Sequence, residues 1–414
     1  MRILHVHKYY HDQDGASRYM IGLMRMQEAA GHTVAPFAMH EDRNLPTPWS
    51  EFFVPEMKTS GIARGLGALR QMQRALWSFE SARYMRRILE AFSPDVVHVH
   101  NIYTHLSPSV LWECKRRGIP VVMTAHDYAL VSANYSLWGG DHPLRDDERG
   151  FFSIVGTRFI KGSRLATFAL EGIVRFQRAR RYFDSAISYY ITLSTFVRGE
   201  LITSGIAKEK CVVIPPFSEP LVRNMPLETG ERSGVLFAGR LEDYKGVQLA
   251  LRLAEVLPGI QFYFAGTGPL ALEVQRIAAL RKNVTYVGFL RSEALWAMMA
   301  QVRVVLVPSQ WYEPFGLVAL EGLTTGAAVV VSDRGGLPEV LGLTDKPEVV
   351  AHGAVVRAQD IEGYKKAVRH FALNNDVEAA RLTAQAARSR AEEVGDPQVH
   401  NEAVMAIYQQ VVQK

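Results

Sequence analysis

The sequence predicts an α/β protein made of two doubly wound domains facing across a cleft. Three observations predict it. Short runs rich in Val and Ile alternate with longer amphipathic stretches, the pattern of parallel strands joined by helical crossovers. That alternation occurs twice, on either side of a polar stretch at 217–233 that carries Pro220, Pro226 and Gly230. The 414 residues, 48% hydrophobic and 21% charged, supply enough chain for two sizeable cores.

In the first half the strand-like runs are 3–7, 33–38, 96–100, 121–125, 186–193 and 212–215. Each is bounded by polar or turn residues, as buried strands are. Helical stretches at 17–30 and 107–117 lie between them, each followed by glycine, Gly31 and Gly118, the residue expected just past a helix. In the second half the runs are 235–238, 262–265, 284–287, 304–307 and 328–331, with helices such as 247–256 and 269–280 between them. Gly395-Asp396-Pro397 breaks the chain before a last helix at 398–412. The expected organisation is a first domain at 1–216, a linker at 217–233, a second domain at 234–395, and a C-terminal helix at 396–414 packing back on the first domain.

Composition narrows the function classes. Two cysteines, Cys114 and Cys211, exclude a disulfide scaffold and fit a reducing compartment. The start has too short an apolar run for a signal peptide, and no stretch of eighteen apolar residues predicts a membrane-spanning helix. A cytoplasmic protein is expected. The net charge of +5, from 47 Lys+Arg against 42 Asp+Glu, admits an anionic partner without naming it.

Chemistry-bearing residues cluster where strands end, the place where doubly wound sheets bind ligands. The most specific string runs Pro308-Ser309-Gln310-Trp311-Tyr312-Glu313-Pro314-Phe315-Gly316-Leu317-Val318-Ala319-Leu320-Glu321. Glu313 falls in a loop and Glu321 two turns into the next helix. The amides of Phe315, Gly316 and Leu317 open that helix and suit an anion or sugar hydroxyls. Either glutamate alone reads as a cap or a solvated residue; the whole string does not. Arg240 and Lys245 lie in the loop Gly239-Arg240-Leu241-Glu242-Asp243-Tyr244-Lys245-Gly246. A guanidinium and an ammonium converging there suit a diphosphate, and pairing with Glu242 and Asp243 is an equal alternative. Gly266-Thr267-Gly268 lacks the third glycine of a dinucleotide fingerprint, so it is a nucleotide contact or a plain strand-to-helix turn.

The first half supplies His126, followed by Asp127 and Tyr128, at the end of the run 121–125. It reads as a hydroxyl-orienting or proton-transferring group, or as a hydrogen-bonded core histidine. Two His-Val-His runs, His5/His7 and His98/His100, place pairs of imidazoles on one face of a strand. No neighbouring cysteine or carboxylate completes a site, and no metal is expected. Gly15 stands in the first loop, where backbone can approach a phosphate.

Together these motifs resemble the retaining nucleotide-sugar glycosyltransferases of the GT-B fold, the group that includes bacterial polysaccharide, lipopolysaccharide and phosphatidylinositol mannosyltransferases. The resemblance covers nearly the whole chain in motif order, and implies two Rossmann-like domains. Glu313 and Glu321 resemble its paired-glutamate signature, the first touching the donor sugar and the second the ribose. By the same resemblance Phe315, Gly316 and Leu317 contact sugar and phosphate, Arg240 and Lys245 the diphosphate, and His126 the donor sugar. Gly15 corresponds to a phosphate contact, and Gly288 and Phe289 to the base-binding backbone; Gly266 stands as a donor-contact candidate on its own residues alone. The loop Asp333-Arg334-Gly335-Gly336-Leu337-Pro338-Glu339 resembles another donor-site loop. The chain departs from the pattern at Ala16, where a second glycine is usual, at Gly322 for Ala, at Ala328 for Pro, and at Pro216-Phe217 for Asn-Gly.

The implied reaction moves a sugar from a UDP- or GDP-sugar to a hydroxyl of a glycan or lipid-linked glycan, in cell-surface polysaccharide biosynthesis. Anomeric configuration is retained and no cofactor or metal is required. Rivals are a nucleotide-sugar epimerase or phosphorylase on the same scaffold, and a non-catalytic sugar-binding module. Nucleic acid is not expected as a partner. Asp127, Tyr128, Asn134 and Tyr135 are the acceptor-contact candidates. Residues 64–90 carry +4 and residues 158–181 carry +6, which leaves −5 on the rest of a chain of net +5. Both segments read as basic amphipathic helices able to lie on an anionic inner membrane face, or as ordinary domain helices with solvated bases.

Overall fold

The computed structural model describes residues 1–56, 66–160, 162–224, 232–374 and 376–413. They form two compact units. The first comprises Met1–Gly139, Leu144–Ile214 and Gln398–Lys414, the second Gly140–Pro143 and Pro215–Pro397. The last helix, Pro397–Val412, thus belongs almost wholly to the first unit.

The first unit holds a six-stranded sheet. Its strands are β1 (Arg2–Val6), β2 (Thr33–Phe37), β3 (Val96–Val99), β4 (Val121–Ala125), β5 (Ile187–Thr192) and β6 (Cys211–Val213). Their spatial order is β2-β1-β3-β4-β5-β6, with every pairing parallel. The central strands are covered on both faces, which is why β3 and β4 read as continuous apolar runs rather than as alternating ones. Register sets His5 opposite His98.

The second unit holds seven strands: β7 (Val235–Ala238), β8 (Phe262–Ala265), β9 (Val284–Gly288), β10 (Val304–Val307), β11 (Ala328–Ser332), β12 (Glu348–Val350) and β13 (Gly353–Val356). Their order is β12-β13-β11-β10-β7-β8-β9, parallel except for the β12–β13 hairpin. That hairpin escapes sequence reading because its strands are three and four residues long and β12 is an exposed edge. Phe237, Phe262, Phe264, Leu306, Val330 and Tyr364 anchor the core.

Elsewhere the boundaries hold closely, except that 158–181 is helical only over Arg164–Ala179, Arg158 standing in a turn at φ +51°, and that one segment is split. The segment 64–90 forms two helices, Leu66–Leu76 and Phe79–Phe92. Ser78 interrupts it by taking an extended conformation and accepting from the Ser81 amide, a side-chain N-cap. Phe79 therefore heads the second helix and is exposed. Arg64, Lys161, Pro226 and Gly230, and the side chains of Leu66 and Leu69, lie outside the described residues. Among the described residues no helix is long and apolar enough to cross a membrane.

Candidate active site

In the second unit the site residues stand at the carboxyl ends of neighbouring parallel strands. Arg240 and Lys245 follow β7, Gly266 follows β8, Gly288 closes β9, and Glu313 follows β10. Strands β10 and β7 are adjacent, so two loops far apart in sequence become neighbours. Gln310 and Trp311 both donate backbone N–H to the Tyr244 carbonyl, at 2.8 and 3.3 Å, and lock those loops together.

The consequence is a direct link between the two motifs. Lys245 Nζ donates to Glu313 Oε1 at 2.6 Å, and Ser309 Oγ donates to the same oxygen at 2.7 Å. Glu313 is buried. Burial by itself drives a carboxyl pKa up, but the Lys245 charge, with hydrogen bonds from Lys245, Ser309 and Trp311, outweighs it and holds Glu313 below the ordinary carboxylate range. The site thus keeps a buried, ionised glutamate. Lys245 also lies over the Trp311 ring, 4.6 Å from its centroid, a cation–π contact that fixes the ammonium from a second side. Two of its three N–H donors are left for a further oxygen.

Arg240 is placed differently. It is exposed, ion-paired with Glu242 at 3.1 Å and hydrogen-bonded to the Tyr244 hydroxyl. It and Lys245 lie 5.7 and 5.8 Å from the centroid of the same Tyr244 ring. The pairing with Glu242 that the sequence offered as an alternative is the arrangement Arg240 takes.

Glu321 is buried in the helix Leu317–Thr324, as its fifth residue, little more than one turn in. Gly316 precedes that helix with φ +110°, and a Cβ there would meet Leu337 Cδ2 at 2.5 Å. Gly266 is a glycine for a reason unconnected with any ligand: at φ +139° its Cβ would lie 1.8 Å from the Gly239 carbonyl oxygen. The loop after β8 is pressed against the loop after β7, backbone to backbone. Gly266 N–H also donates to the Gly288 carbonyl at 2.7 Å, and Phe289 beside it is exposed. Gly336 N–H donates to the Glu313 carbonyl at 2.7 Å, which ties the 333–339 loop to the glutamate.

The first unit gathers its own cluster. His126 follows β4 directly, partly exposed, with Nε2 3.0 Å from His100 Nδ1. Gly15 opens the helix Gly15–Ala29, whose N-cap, Asp14, accepts from the Ser17 amide at 3.0 Å. His7, read in the sequence only as half of a His-Val-His pair, and Lys8, not singled out there, act electrostatically on His126 and Asp14. Their signal was available: they directly follow β1, the counterpart of the position His126 holds after β4. Asp127 accepts from the Ala129 amide at 2.9 Å, and burial raises its carboxyl pKa. Tyr135 is exposed. Tyr128 and Asn134 are fully buried and present no surface to an acceptor. Asn134 is consumed by its own turn, donating to the Trp138 carbonyl and accepting from Ser136 Oγ, each at 2.7 Å.

The histidine runs form one buried group. His5 on β1, His98 on β3 and His100 just past β3 have ring nitrogens within 4.8 Å of one another. That count of three imidazoles comes from strand register, which spacing along the chain does not show.

The class of protein follows from the families its two halves match: it is a glycosyltransferase. Residues 13–219 match Glycosyltransferase Family 4, and residues 222–390 match the Glycosyl transferases group 1 family. The chain belongs to this glycosyltransferase family, on the GT-B fold. A 42.6 kDa protein of the cps region of Klebsiella pneumoniae is 22% identical over 321 residues, 75% of this chain and 79% of that protein. A glycosyltransferase of Methanocaldococcus jannaschii is 34% identical over 276 residues, 64% of this chain and 65% of the relative. Anabaena HepE, solved in complex with UDP-glucose, superposes with a TM-score of 0.65 at 15% identity, covering 99% of this chain and all (100%) of that one.

Proposed function

We propose that the protein is a retaining hexosyltransferase that moves a sugar from a UDP- or GDP-sugar to a hydroxyl of a glycan or lipid-linked glycan, without a metal. The observation that carries this reading is the Lys245–Glu313 pair. It places an ionised carboxylate and a cation with unused donors at adjacent strand ends, beside a helix N-terminus. Lys245 and Arg240 take the diphosphate and stabilise the charge that builds on it as the glycosidic bond breaks. Glu313 accepts from sugar hydroxyls, Glu321 from the ribose, and the Phe315–Leu317 backbone approaches phosphate. Gly15, Gly266, Gly288 and Phe289 complete the donor contacts, and His126 holds a sugar hydroxyl. The leaving phosphate takes the acceptor's proton on the face from which it departs. The UDP-glucose bound by HepE supports the donor class.

The acceptor proposal is a lipid-linked glycan met at an anionic membrane surface, with Asp127 and Tyr135 as contacts. The helix Arg164–Ala179 supports it, because its pattern is largely inverted. It buries Thr167, Glu171 and Gln177 along with Ile173, and exposes Leu165, Phe168 and Phe176 between basic residues. The buried polar groups are all engaged. Thr167 accepts from the Ile160 amide, Glu171 from the Ala133 amide, and Gln177 donates to the Ala75 and Leu76 carbonyls.

A thermal-shift series with UDP, GDP and ADP tests the donor site, since a ligand that binds only the folded state raises the melting temperature. One nucleoside diphosphate should raise it, and no shift with any of the three sinks the assignment. Glu321→Ala should weaken that binding, whereas His126→Ala should lower turnover with binding kept.

A further inference from the structure

The buried histidines of the first unit form a chain with a direction. Gln27, fully buried on the helix Gly15–Ala29, turns its carboxamide oxygen to His5 Nε2 at 2.8 Å and its amide nitrogen to the Tyr408 hydroxyl at 3.4 Å. A carboxamide oxygen only accepts, so His5 carries its proton on Nε2 and its Nδ1 is a lone pair. That lone pair faces His100 Nε2 at 3.2 Å, so His100 donates from Nε2 and its own Nδ1 is a lone pair. His100 Nδ1 faces His126 Nε2 at 3.0 Å, so His126 donates from Nε2 in turn. His126 Nδ1, with no partner among the described residues, is left as an acceptor at the carboxyl end of β4.

The other arm of Gln27 closes in the same sense. Tyr408, from the last helix, accepts from the amide and donates to His98 Nδ1, and His98 donates from Nε2 to Thr124 Oγ1 at 2.7 Å. The chain requires neutral rings, because an imidazolium would set one donor against another. Burial provides that condition: it lowers His5 to about 4 and His126 to about 3, and holds His98 and His100 well below the ordinary range. The trio His5, His98 and His100 is close enough for a metal, but both nitrogens of each ring are already engaged, so a metal would have to break the chain.

We infer that Gln27, His5 and His100 are positioning residues that fix His126 as its Nε2-protonated tautomer, so that Nδ1 accepts a hydrogen bond from a sugar hydroxyl. The functional half rests on the role proposed above for His126; the tautomer does not. An acceptor here selects a ligand O–H and rejects an unprotonated phosphate oxygen, which has no proton to give. It also removes His126 as an acid toward the leaving group.

Long-range proton–nitrogen correlation on the full-length protein, labelled with nitrogen-15 histidine at neutral pH, reads the tautomer directly. His126 should show a protonated Nε2 and a pyridine-type Nδ1. Gln27→Leu removes the terminal acceptor and should give a mixture of tautomers. Its transfer kcat should fall about 10- to 100-fold with donor KM unchanged, the range seen when the partner that orients a functional imidazole is lost. Ser109→Ala deletes a buried hydrogen bond of the first unit, Ser109 Oγ to the Ser78 carbonyl, outside both arms, and should leave the His126 signature in place. A protonated Nδ1 on His126 in the unmodified protein overturns the inference, and that spectrum decides it whatever the stability of the variants. An unchanged tautomer in Gln27→Leu overturns it as well. So do His5 and His100 resonances that shift when zinc is added. A tautomer that moves while transfer stays constant leaves the chain standing and overturns the sugar-holding role of His126.

Discussion

The two units bury polar groups by opposite means. The first keeps a set of imidazoles neutral and satisfies them with one another, with Gln27 and with Tyr408. The second keeps a glutamate charged and satisfies it with a lysine and a serine. Neutral burial avoids the desolvation cost of an ion but depends on pH, whereas paired burial holds its charge and depends on its partner. Each solution suits its proposed task. A hydroxyl-orienting histidine needs a defined tautomer, and a diphosphate site needs fixed charge.

The largest effect that would break this contrast is expected at the charged pair. Lys245→Met leaves Glu313 buried without its counter-ion and should cost about 3–5 kcal/mol of stability, measured by denaturant unfolding. It should also abolish the nucleotide-induced thermal shift. The double variant Lys245→Met with Glu313→Gln should recover most of the stability and none of the nucleotide response. Equal stability of the single and double variants would show that the pair is not coupled.

Acid separates the units next. The folded pKa of His5 and His126 lies below the ordinary 6.5, so the unfolded chain takes up protons that the folded chain refuses. Their contribution is complete above 6.5 and is lost as pH falls toward about 4 for His5 and about 3 for His126, at up to roughly 1.4 kcal/mol per pH unit for each histidine. The Glu313 pKa is depressed from 4.5, so its contribution is present above that value and is lost only below it. Hydrogen exchange followed from pH 7 downward should therefore show protection lost first in the sheet of β1, β3 and β4, while that of β7 and β10 persists. Simultaneous loss would refute the division.

A smaller effect sharpens what the second unit demands of its backbone. Gly266→Ala sets a methyl against the Gly239 carbonyl and strains a positive φ. It should cost about 2–3 kcal/mol by thermal or denaturant unfolding, with no ligand present. A neutral outcome would return Gly266 to a purely ligand-dictated role. The smallest stability change belongs to the exposed apolar face of the first unit. Phe168→Ser should alter stability by less than about 0.5 kcal/mol. It should nonetheless reduce flotation with anionic vesicles at low salt, and unchanged flotation would argue against the membrane proposal.

Much of the second unit's candidate site was legible in the sequence because it is local. Arg240 to Lys245 share one strand-end loop, and Glu313 to Glu321 run from the loop after β10 into the next helix, so residue type and spacing alone single them out. The same reading missed Ser309, Trp311 and Tyr244 as partners, although all three stand inside the motifs, because which of them meets which depends on β7 lying beside β10. It proposed Tyr128 and Asn134 as surface contacts, yet the loop after β4 folds them inward. It left Gly266 as a nucleotide contact or a plain turn, and the neighbouring loop requires a glycine there with or without a ligand.

By itself, then, the sequence determined the class of fold, the position of each strand-end loop and the inventory of charged groups. Those follow from hydrophobic periodicity and from short strings that act within a few residues. Tertiary structure alone decided the pairings: Lys245 with Glu313, His5 with His98 and His100, and Tyr408 with His98. Strand order and register bring together residues separated by 68 and 95 positions, and packing of the last helix on the first sheet brings together a pair 310 apart. No local propensity encodes such distances, because a hydrogen bond's energy depends on where its partners end up in space and not on how far apart they lie along the chain.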